Sequence, residues 1–115
     1  MREINLDPYF VEAELPDGTK KSFPYIVKQS ICGALFLPEQ RLGMAELLDN
    51  DRLAQKIKAW PEGSPLLLEE AEYQKIRAAF EAHRGYTEHD VELVRRIMNA
   101  PEVAVKKAAK KAAGP

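Results

Sequence analysis

The amino-acid sequence predicts an α+β fold, in which an N-terminal β-hairpin packs on about four short helices and a basic C-terminal tail follows. Apolar and polar residues alternate on both sides of an Asp-Gly pair near the N-terminus, which is the pattern of a hairpin. Beyond residue 26, apolar residues recur with helical spacing instead. The last stretch contains four lysines and no acid. These observations predict a single globular domain at 1–102 and an Ala/Lys-rich tail at 103–115.

The hairpin is predicted for the stretch YFVEAELPDGTKKSFPYIV. Apolar residues alternate with glutamates from Val11 to Leu15, and alternation resumes after the turn. Pro24 cannot donate a backbone hydrogen bond, so we expect the second strand to be short or at an edge. The other edge, from Tyr9 to Leu15, is then expected to be open, and we predict Tyr9, Phe10 and Val11 as partner-binding residues. Because an isolated hairpin is marginally stable, its apolar face is expected to lie on helices.

Two helices are predicted between the hairpin and Pro61, at 26–36 and 44–60. The first has apolar residues spaced by four, and Pro38 follows its end. In the second, MAELLDNDRLAQKIKAW, the polar cluster Asp49–Asp51 offers an internal N-cap. The pattern therefore leaves open whether this stretch is one helix or two. The run LLL that follows is expected to be an extended segment.

The helix EEAEYQKIRAAFEAHRG is the clearest element of the chain. Its first glutamates suit the positive end of a helix dipole, and Gly85 fits the position just after its end. One of its faces carries Tyr73, Ile76, Phe80 and His83.

The last predicted helix begins at Thr87, which can cap it together with Asp90, and ends before Pro101. Tyr86 is expected to pack on Val91 as a hydrophobic staple. The buried stripe of this helix is predicted to consist of Val91, Val94, Ile97 and Met98.

Catalytic and phosphate-binding motifs of the types GxxxxGK[ST], GxGxxG, GxSxG and HExxH do not occur in the sequence. We therefore predict no enzyme activity, no cofactor, no metal ion and no small-molecule substrate. Cys32 is predicted to be a small buried hydrophobe, since a nucleophilic role would require a histidine close by. His83 and His89 flank the Gly85 turn and lack the i, i+4 spacing of a metal pair.

The charge distribution separates the tail from the rest of the chain. Residues 1–102 hold 13 Lys and Arg against 18 Asp and Glu, a formal charge of −5, whereas the tail carries +4. An isolated Ala-Lys helix of this length is marginal in water. A solvated extension, contact with an acidic protein surface and contact with nucleic acid therefore all remain open for its lysines, Lys106, Lys107, Lys110 and Lys111.

Three arginines, Arg84, Arg95 and Arg96, are the other candidates for binding phosphate. Against that function, Glu88 and Glu92 lie at helical spacing to pair with them. A helix-turn-helix is not favoured, because acidic residues fill the helix start that would face the bases.

The stretches VKQSICGALFLP, RLGMAELLDNDRLAQKI and LLLEEAEYQKIRAAFEAHRGYTEHDVELVRRIMNAPEV resemble small accessory proteins of bacteriophages and prophages. The resemblance covers residues 25–105 and is greatest to short proteins of the morphogenesis region, such as tail assembly chaperones and virion accessory proteins. It implies a non-enzymatic protein that binds other virion components, and it carries over no functional residue.

The sequence thus predicts an assembly or interaction protein that acts by protein–protein binding, either to a partner or to a second copy. The alternative is a small nucleic-acid-associated regulator that uses the tail and Arg95/Arg96. No apolar run approaches the length of roughly 20 residues that a membrane span needs. We therefore expect no membrane contact and a location in the cytoplasm, which would be the host cytoplasm or the virion for a phage protein.

Overall fold

The structure is a computed structural model that describes residues 1–103. Its strands and helices, in chain order, are β1 (Arg2–Ile4), β2 (Tyr9–Glu14), β3 (Lys20–Tyr25), α1 (Val27–Ala34), a 3₁₀ turn (Pro38–Gln40), α2 (Met44–Lys58), β4 (Leu66–Leu68), α3 (Glu70–Ala82), a second 3₁₀ turn (Glu88–Asp90) and α4 (Val91–Met98). The predicted α+β class is confirmed. The predictions for the tail lysines, Lys106, Lys107, Lys110 and Lys111, lie outside the described residues.

The strands form two separate antiparallel sheets of two strands each. In the first, β1 pairs with β4, with Ile4 opposite Leu66. The LLL run is therefore extended, as predicted, whereas its partner β1 was not predicted from the sequence. The chain returns to β1 after α4, where Val103 N donates to Met1 O at 2.7 Å.

The second sheet is the predicted hairpin, with Tyr9 opposite Tyr25 and Glu14 opposite Lys20. Its turn depends on Gly18, which has a φ of 87° that other residues rarely adopt. The Asp17 carboxylate accepts hydrogen bonds from Thr19 N at 3.0 Å and Thr19 Oγ1 at 2.6 Å. These bonds fix the turn that connects the two strands.

The hydrophobic core lies between the β1–β4 sheet and the four helices. Its largest fully buried side chains include Ile4, Ile31, Leu35, Ile57, Leu66, Leu68, Tyr73, Ile76, Leu93 and Ile97. The Tyr73 hydroxyl donates to Ile97 O at 2.6 Å, which joins α3 to α4 inside the core.

Helix α2 is continuous, so the Asp49–Asp51 cluster does not divide it. Asn50 is 3% exposed, and its Nδ2 donates to Leu35 O at 2.9 Å. A buried amide needs such a partner, and the orphan carbonyls at the end of α1 supply one. Asn50 therefore faces the core and ties α2 to the end of α1.

The predicted buried stripe of α4 is wrong in part. Leu93, Ile97 and Ala100 are buried, whereas Val91 and Met98 are 50% and 48% exposed. Both sets of apolar residues have helical spacing, so the helix carries two apolar stripes. The contact between α3 and α4 turns the Leu93 stripe inward and leaves the other stripe at the surface.

The start of α4 and the end of α3 lie closer to their predicted positions than the buried stripe of α4 does. Asp90 Oδ2 accepts from Thr87 N at 3.0 Å, which confirms the predicted capping pair. Helix α3 ends at Ala82, earlier than predicted, because His83 is already extended. Gly85 has a φ of 93° and lies in the turn that follows.

Candidate protein-interaction site

The outer edge of β2 presents unpaired backbone groups. Hydrogen-bonded and non-hydrogen-bonded pairs alternate along an antiparallel ladder. Leu15 N donates to Thr19 O at 2.7 Å, so Leu15 and Thr19 form a hydrogen-bonded pair. Counting back along β2 by twos, the residue pairs that include Ala13, Val11 and Tyr9 are hydrogen-bonded, and the pairs between them are not. The backbone N–H and C=O groups of Phe10, Glu12 and Glu14 therefore point away from β3. Within residues 1–103, no backbone hydrogen bond joins these outward groups to another segment.

The outer edge of β3 differs from that of β2. Pro24 lies opposite Phe10, in a non-hydrogen-bonded pair, so the N–H that proline lacks would have pointed outward. The hairpin ladder therefore loses nothing at Pro24, and the predicted edge position of β3 is confirmed. Lysines follow the same strand at Lys20 and Lys21. Proline and lysine are the residues that block strand addition at sheet edges.

Only the base of the hairpin lies on the helices. Tyr9 and Tyr25 stack with ring centroids 4.6 Å apart and pack against the core. Farther along, Val11 is only half-buried, and Phe23 is 37% exposed. Phe10, on the opposite face, is 75% exposed. The apolar face that was expected to lie on helices is thus covered at one end and accessible at the other.

Two tyrosine hydroxyls anchor the base of the hairpin to the start of α4. Tyr9 Oη donates to His89 O at 2.7 Å, and Tyr25 Oη donates to Asp90 Oδ1 at 2.5 Å. Burial and the hydrogen bond to Asp90 raise the pKa of Tyr25. Burial opposes ionisation of Asp90, but hydrogen bonds from Tyr25 and Thr87 outweigh it and lower the pKa of Asp90. Asp90 is therefore ionised, and its carboxylate accepts the hydrogen bond from Tyr25 that anchors the hairpin.

The three arginines proposed for phosphate have different environments. Arg96 is 15% exposed at its side chain; it stacks over Tyr9 and donates to the carbonyls of Asn5 and Asp7 at 3.1 and 2.7 Å. Arg96 therefore has a structural role in holding the segment before β2. Arg84 donates to backbone carbonyls at the end of α3, and Arg95 is 65% exposed.

Cys32 is buried, as predicted. It is 5% exposed, and its Sγ lies 3.6 Å from Ala54 O. Burial raises the pKa of the Cys32 thiol, which disfavours the reactive thiolate. The thiol therefore packs α1 against α2.

His83 pairs with Glu39, a contact that sequence reasoning did not find. His83 Nδ1 lies 2.8 Å from Glu39 Oε1, and Arg84 N donates to Glu39 Oε2 at 2.8 Å. These bonds hold the pKa of Glu39 below its ordinary value. Within the described part of the chain, no cluster of three or more His, Cys, Asp or Glu residues could hold a metal ion. The Glu39–His83 pair joins the 3₁₀ turn after α1 to the end of α3.

No helix among residues 1–103 has the length and apolar character needed to cross a membrane. Comparison of the chain with protein-family models, with curated proteins and with solved structures gave no match in any of the three.

Proposed function

We propose that this protein is a non-enzymatic interaction protein that binds another protein by adding a strand to the outer edge of β2. The observation that carries the proposal is the two-stranded hairpin, whose β2 edge is left open by residues 1–103 along Phe10, Glu12 and Glu14. Strand addition at an open edge supplies affinity through backbone hydrogen bonds, while alternate side chains supply specificity. The blocked edge of β3 restricts addition to β2.

The side chains beside this edge indicate the partner's chemistry. Glu12 and Glu14 lie on one face of β2, and Val11 and Ala13 lie on the other. Side chains directly across two strands interact, and opposite charges are favoured there. The complementary strand therefore alternates lysine or arginine with aliphatic residues.

The finer proposal is a phage-type virion accessory protein or assembly chaperone. It rests on the resemblance of residues 25–105 to proteins of the morphogenesis region. An open strand edge suits that task, because an assembly protein must bind extended or unassembled segments of other chains.

Two matched proline variants test strand addition. Glu12→Pro removes an outward N–H from β2, whereas Ser22→Pro removes the outward N–H of the residue opposite it on β3. The probe is the peptide acetyl-KVKVK-amide, titrated into the isotope-labelled full chain and followed by NMR. We expect amide shifts at Phe10, Glu12 and Glu14, lost in Glu12→Pro and retained in Ser22→Pro. Absence of shifts at millimolar peptide, or equal loss in both variants, would contradict the proposal.

DNA binding by the full chain separates this function from the nucleic-acid alternative. If the tail lysines bound phosphate, the logarithm of affinity would fall with the logarithm of salt concentration by about 0.9 per contact. Replacing Lys106, Lys107, Lys110 and Lys111 with glutamine would abolish that binding. We expect weak DNA binding that is equal in the two chains, because residues 1–102 carry a charge of −5.

A further inference from the structure

A cleft of about 260 Å³ opens where the base of the hairpin meets α1, the end of α3 and the start of α4. We name it the Asp90 cleft. Its lining combines three aromatic rings, one carboxylate and small residues of α1, and comprises Tyr25, Gln29, Ser30, Gly33, Ala34, Leu37, Phe80, His83, Tyr86 and Asp90. Five separate segments of the chain thus contribute to one concave surface.

The Asp90 carboxylate in this cleft accepts hydrogen bonds but has no cation in direct contact among the described residues. Tyr25 Oη, Thr87 N and Thr87 Oγ1 donate to it at 2.5, 3.0 and 3.3 Å. A carboxylate accepts about four hydrogen bonds, so one acceptor position is left. Among residues 1–103, no lysine, arginine or histidine nitrogen lies within 4.0 Å of Asp90. Asp90 therefore has no direct ion-pair partner in the cleft, although the His83 ring lines the same cleft and interacts with the carboxylate electrostatically.

The aromatic rings around this charge favour a cation. Tyr25 stacks on Tyr9, and the guanidinium of Arg96 lies 5.2 Å from the centroid of the Tyr9 ring. Tyr86 stands edge-on to His83 at 4.7 Å and also lines the cleft. Cations bind next to aromatic faces because the faces carry negative electrostatic potential. The surroundings thus add to the attraction of the carboxylate.

A second recess adjoins the Asp90 cleft on the other side of Tyr86. It measures about 320 Å³ and is lined by Tyr86, Thr87, Asp90, Val91, Val94 and Arg95. Val91 belongs to the α4 stripe that faces outward, and Val94 beside it is partly buried against the core. Because Tyr86 and Asp90 line both recesses, a ligand that spans them needs a charged group beside an apolar one.

We propose that the Asp90 cleft binds a lysine or arginine side chain of a partner polypeptide, with a neighbouring aliphatic side chain in the recess beside Val91 and Val94. Charge complementarity with Asp90 and the two adjoining recesses support this occupant. This site is separate from the β2 edge, and its test is independent of strand addition.

The tail of this same chain is a poorer occupant than a partner. The tail, 103–115, offers two valines among alanines and lysines, Val103 and Val105. Val103 already exchanges backbone hydrogen bonds with Met1, which leaves Val105. Burying one valine side chain returns only about 1.5–3 kcal/mol. A partner that presents a basic side chain beside a larger aliphatic one on a folded element buries more apolar surface and is already ordered.

Two dipeptide probes test the charge requirement. Acetyl-Leu-Lys-amide and acetyl-Leu-norleucine-amide differ in the ammonium group at the end of the stem. NMR titration of the full chain should show shifts at Ser30, Gly33 and Tyr86 with the lysine probe, at an affinity at least fivefold above that of the norleucine probe. Equal affinities of the two probes would overturn the proposal, and so would the absence of shifts with either probe at about 20 mM.

Three variants locate the binding. Asp90→Asn keeps an acceptor for Thr87 N and removes the charge, so it should lose the lysine preference. Asp51→Asn makes the same charge change at an exposed position on α2 and should bind like the parent chain. Gly33→Leu adds a side chain to the lining of the cleft and leaves Asp90 in place, and it is tolerated locally because no atom lies within 4 Å of a Cβ added at Gly33.

Gly33→Leu keeps the proposal falsifiable even if Asp90→Asn does not fold. Unchanged lysine binding in Gly33→Leu would place the site elsewhere. The four tail lysines are also replaced with glutamine in an otherwise intact chain. Shifts of the Ser30, Gly33 and Tyr86 signals on that replacement would show that the tail occupies the cleft and would overturn the assignment to a partner.

Discussion

The two small sheets of this protein have the same antiparallel pairing and opposite surroundings. In the β1–β4 sheet, Leu66, Leu67 and Leu68 are at most 2% exposed. In the β2–β3 hairpin, every residue of β3 before Tyr25 is exposed, and Phe10 reaches 75%. The strand pairing alone therefore does not decide what a sheet contributes to the molecule.

The surroundings of the two sheets explain their different roles. The free side of β1 is covered by the chain after α4, where Met1 and Val103 exchange backbone hydrogen bonds and Arg2 bridges to Glu102. The free side of β2 has no such cover among the described residues. We infer that the buried sheet contributes stability, whereas the hairpin leaves its edge available for recognition.

Side-chain truncation in each sheet tests this division most directly. Leu68→Ala should lower the free energy of unfolding by about 2–5 kcal/mol, because it leaves a cavity beside a completely buried strand. Phe10→Ala should change it by about 0.5 kcal/mol or less, since the ring is largely in solvent. Urea unfolding followed by the fluorescence of Trp60, the single tryptophan, measures both values.

The comparison would fail if the two variants lost similar stability. A large loss in Phe10→Ala would show that the far end of the hairpin is packed against another part of the chain. Val11→Ala, on the half-buried face, should give an intermediate value and serves as an internal control.

The base of the hairpin should show a smaller effect that depends on one hydrogen bond. Tyr25→Phe removes the donor to Asp90 and should cost about 1.5–3 kcal/mol, the range for hydrogen bonds to charged groups. A double-mutant cycle with Asp90→Asn isolates the pair. The raised pKa of Tyr25 means that its contribution is present below about pH 10, the unfolded value, and is lost as pH rises towards the folded pKa. Tyr25→Phe should lack that alkaline loss, and an unchanged alkaline slope would contradict the assignment.

The hairpin was predictable from the sequence because its signals lie within one short stretch, whereas β1 was not because it depends on a distant partner strand. Alternation and the Asp-Gly turn are both contained in one short stretch. β1 has three residues, of which only Ile4 is buried, and its partner lies beyond α2. Such a strand is defined by a distant contact and carries no pattern of its own.

The same distinction separates the parts of the candidate site. The open edge of β2 was predicted, because Pro24 marks the blocked edge. The Asp90 cleft was not, because Tyr25 and Asp90 are 65 positions apart and only the Thr87–Asp90 capping pair has a local signature. The outward stripe of α4 was misassigned, since two apolar stripes compete and only the packing of α4 against α3 decides which one is buried.

Acid should loosen the base of the hairpin before it affects the buried sheet. The lowered pKa of Asp90 means that its contribution is present above about pH 4, the unfolded value, and is lost as pH falls through the folded pKa. Protection from amide hydrogen exchange, corrected for the intrinsic rate at each pH, should therefore fall at the Tyr9 and Tyr25 end of the hairpin below about pH 4. The decrease should be smaller than the one that Tyr25→Phe causes at pH 7.

Asp90→Asn provides the control for this acid response. It should show the faster exchange already at neutral pH and little further change in acid. Because the exposed Arg2–Glu70 pair also weakens in acid, exchange in β1 is followed in the same experiment. Simultaneous loss of protection in both sheets would contradict the separation between them.

The smallest expected effect on stability concerns the blocked edge of the hairpin. Pro24→Ala restores an N–H that points away from β2, so no hydrogen bond of the hairpin changes. The free energy of unfolding should nevertheless fall by about 0.4–1 kcal/mol, chiefly because the unfolded chain gains conformational freedom without the proline. The variant loses the proline that interrupts the β3 edge and keeps Lys20 and Lys21, so strand addition at β3 is less hindered than in the parent chain. Sedimentation at increasing concentration should therefore show more association for Pro24→Ala than for the parent chain, while Ser22→Ala, which leaves Pro24 in place, should match the parent. Equal association of all three chains would mean that Pro24 does not guard β3, and the assignment of recognition to β2 alone would lose its basis.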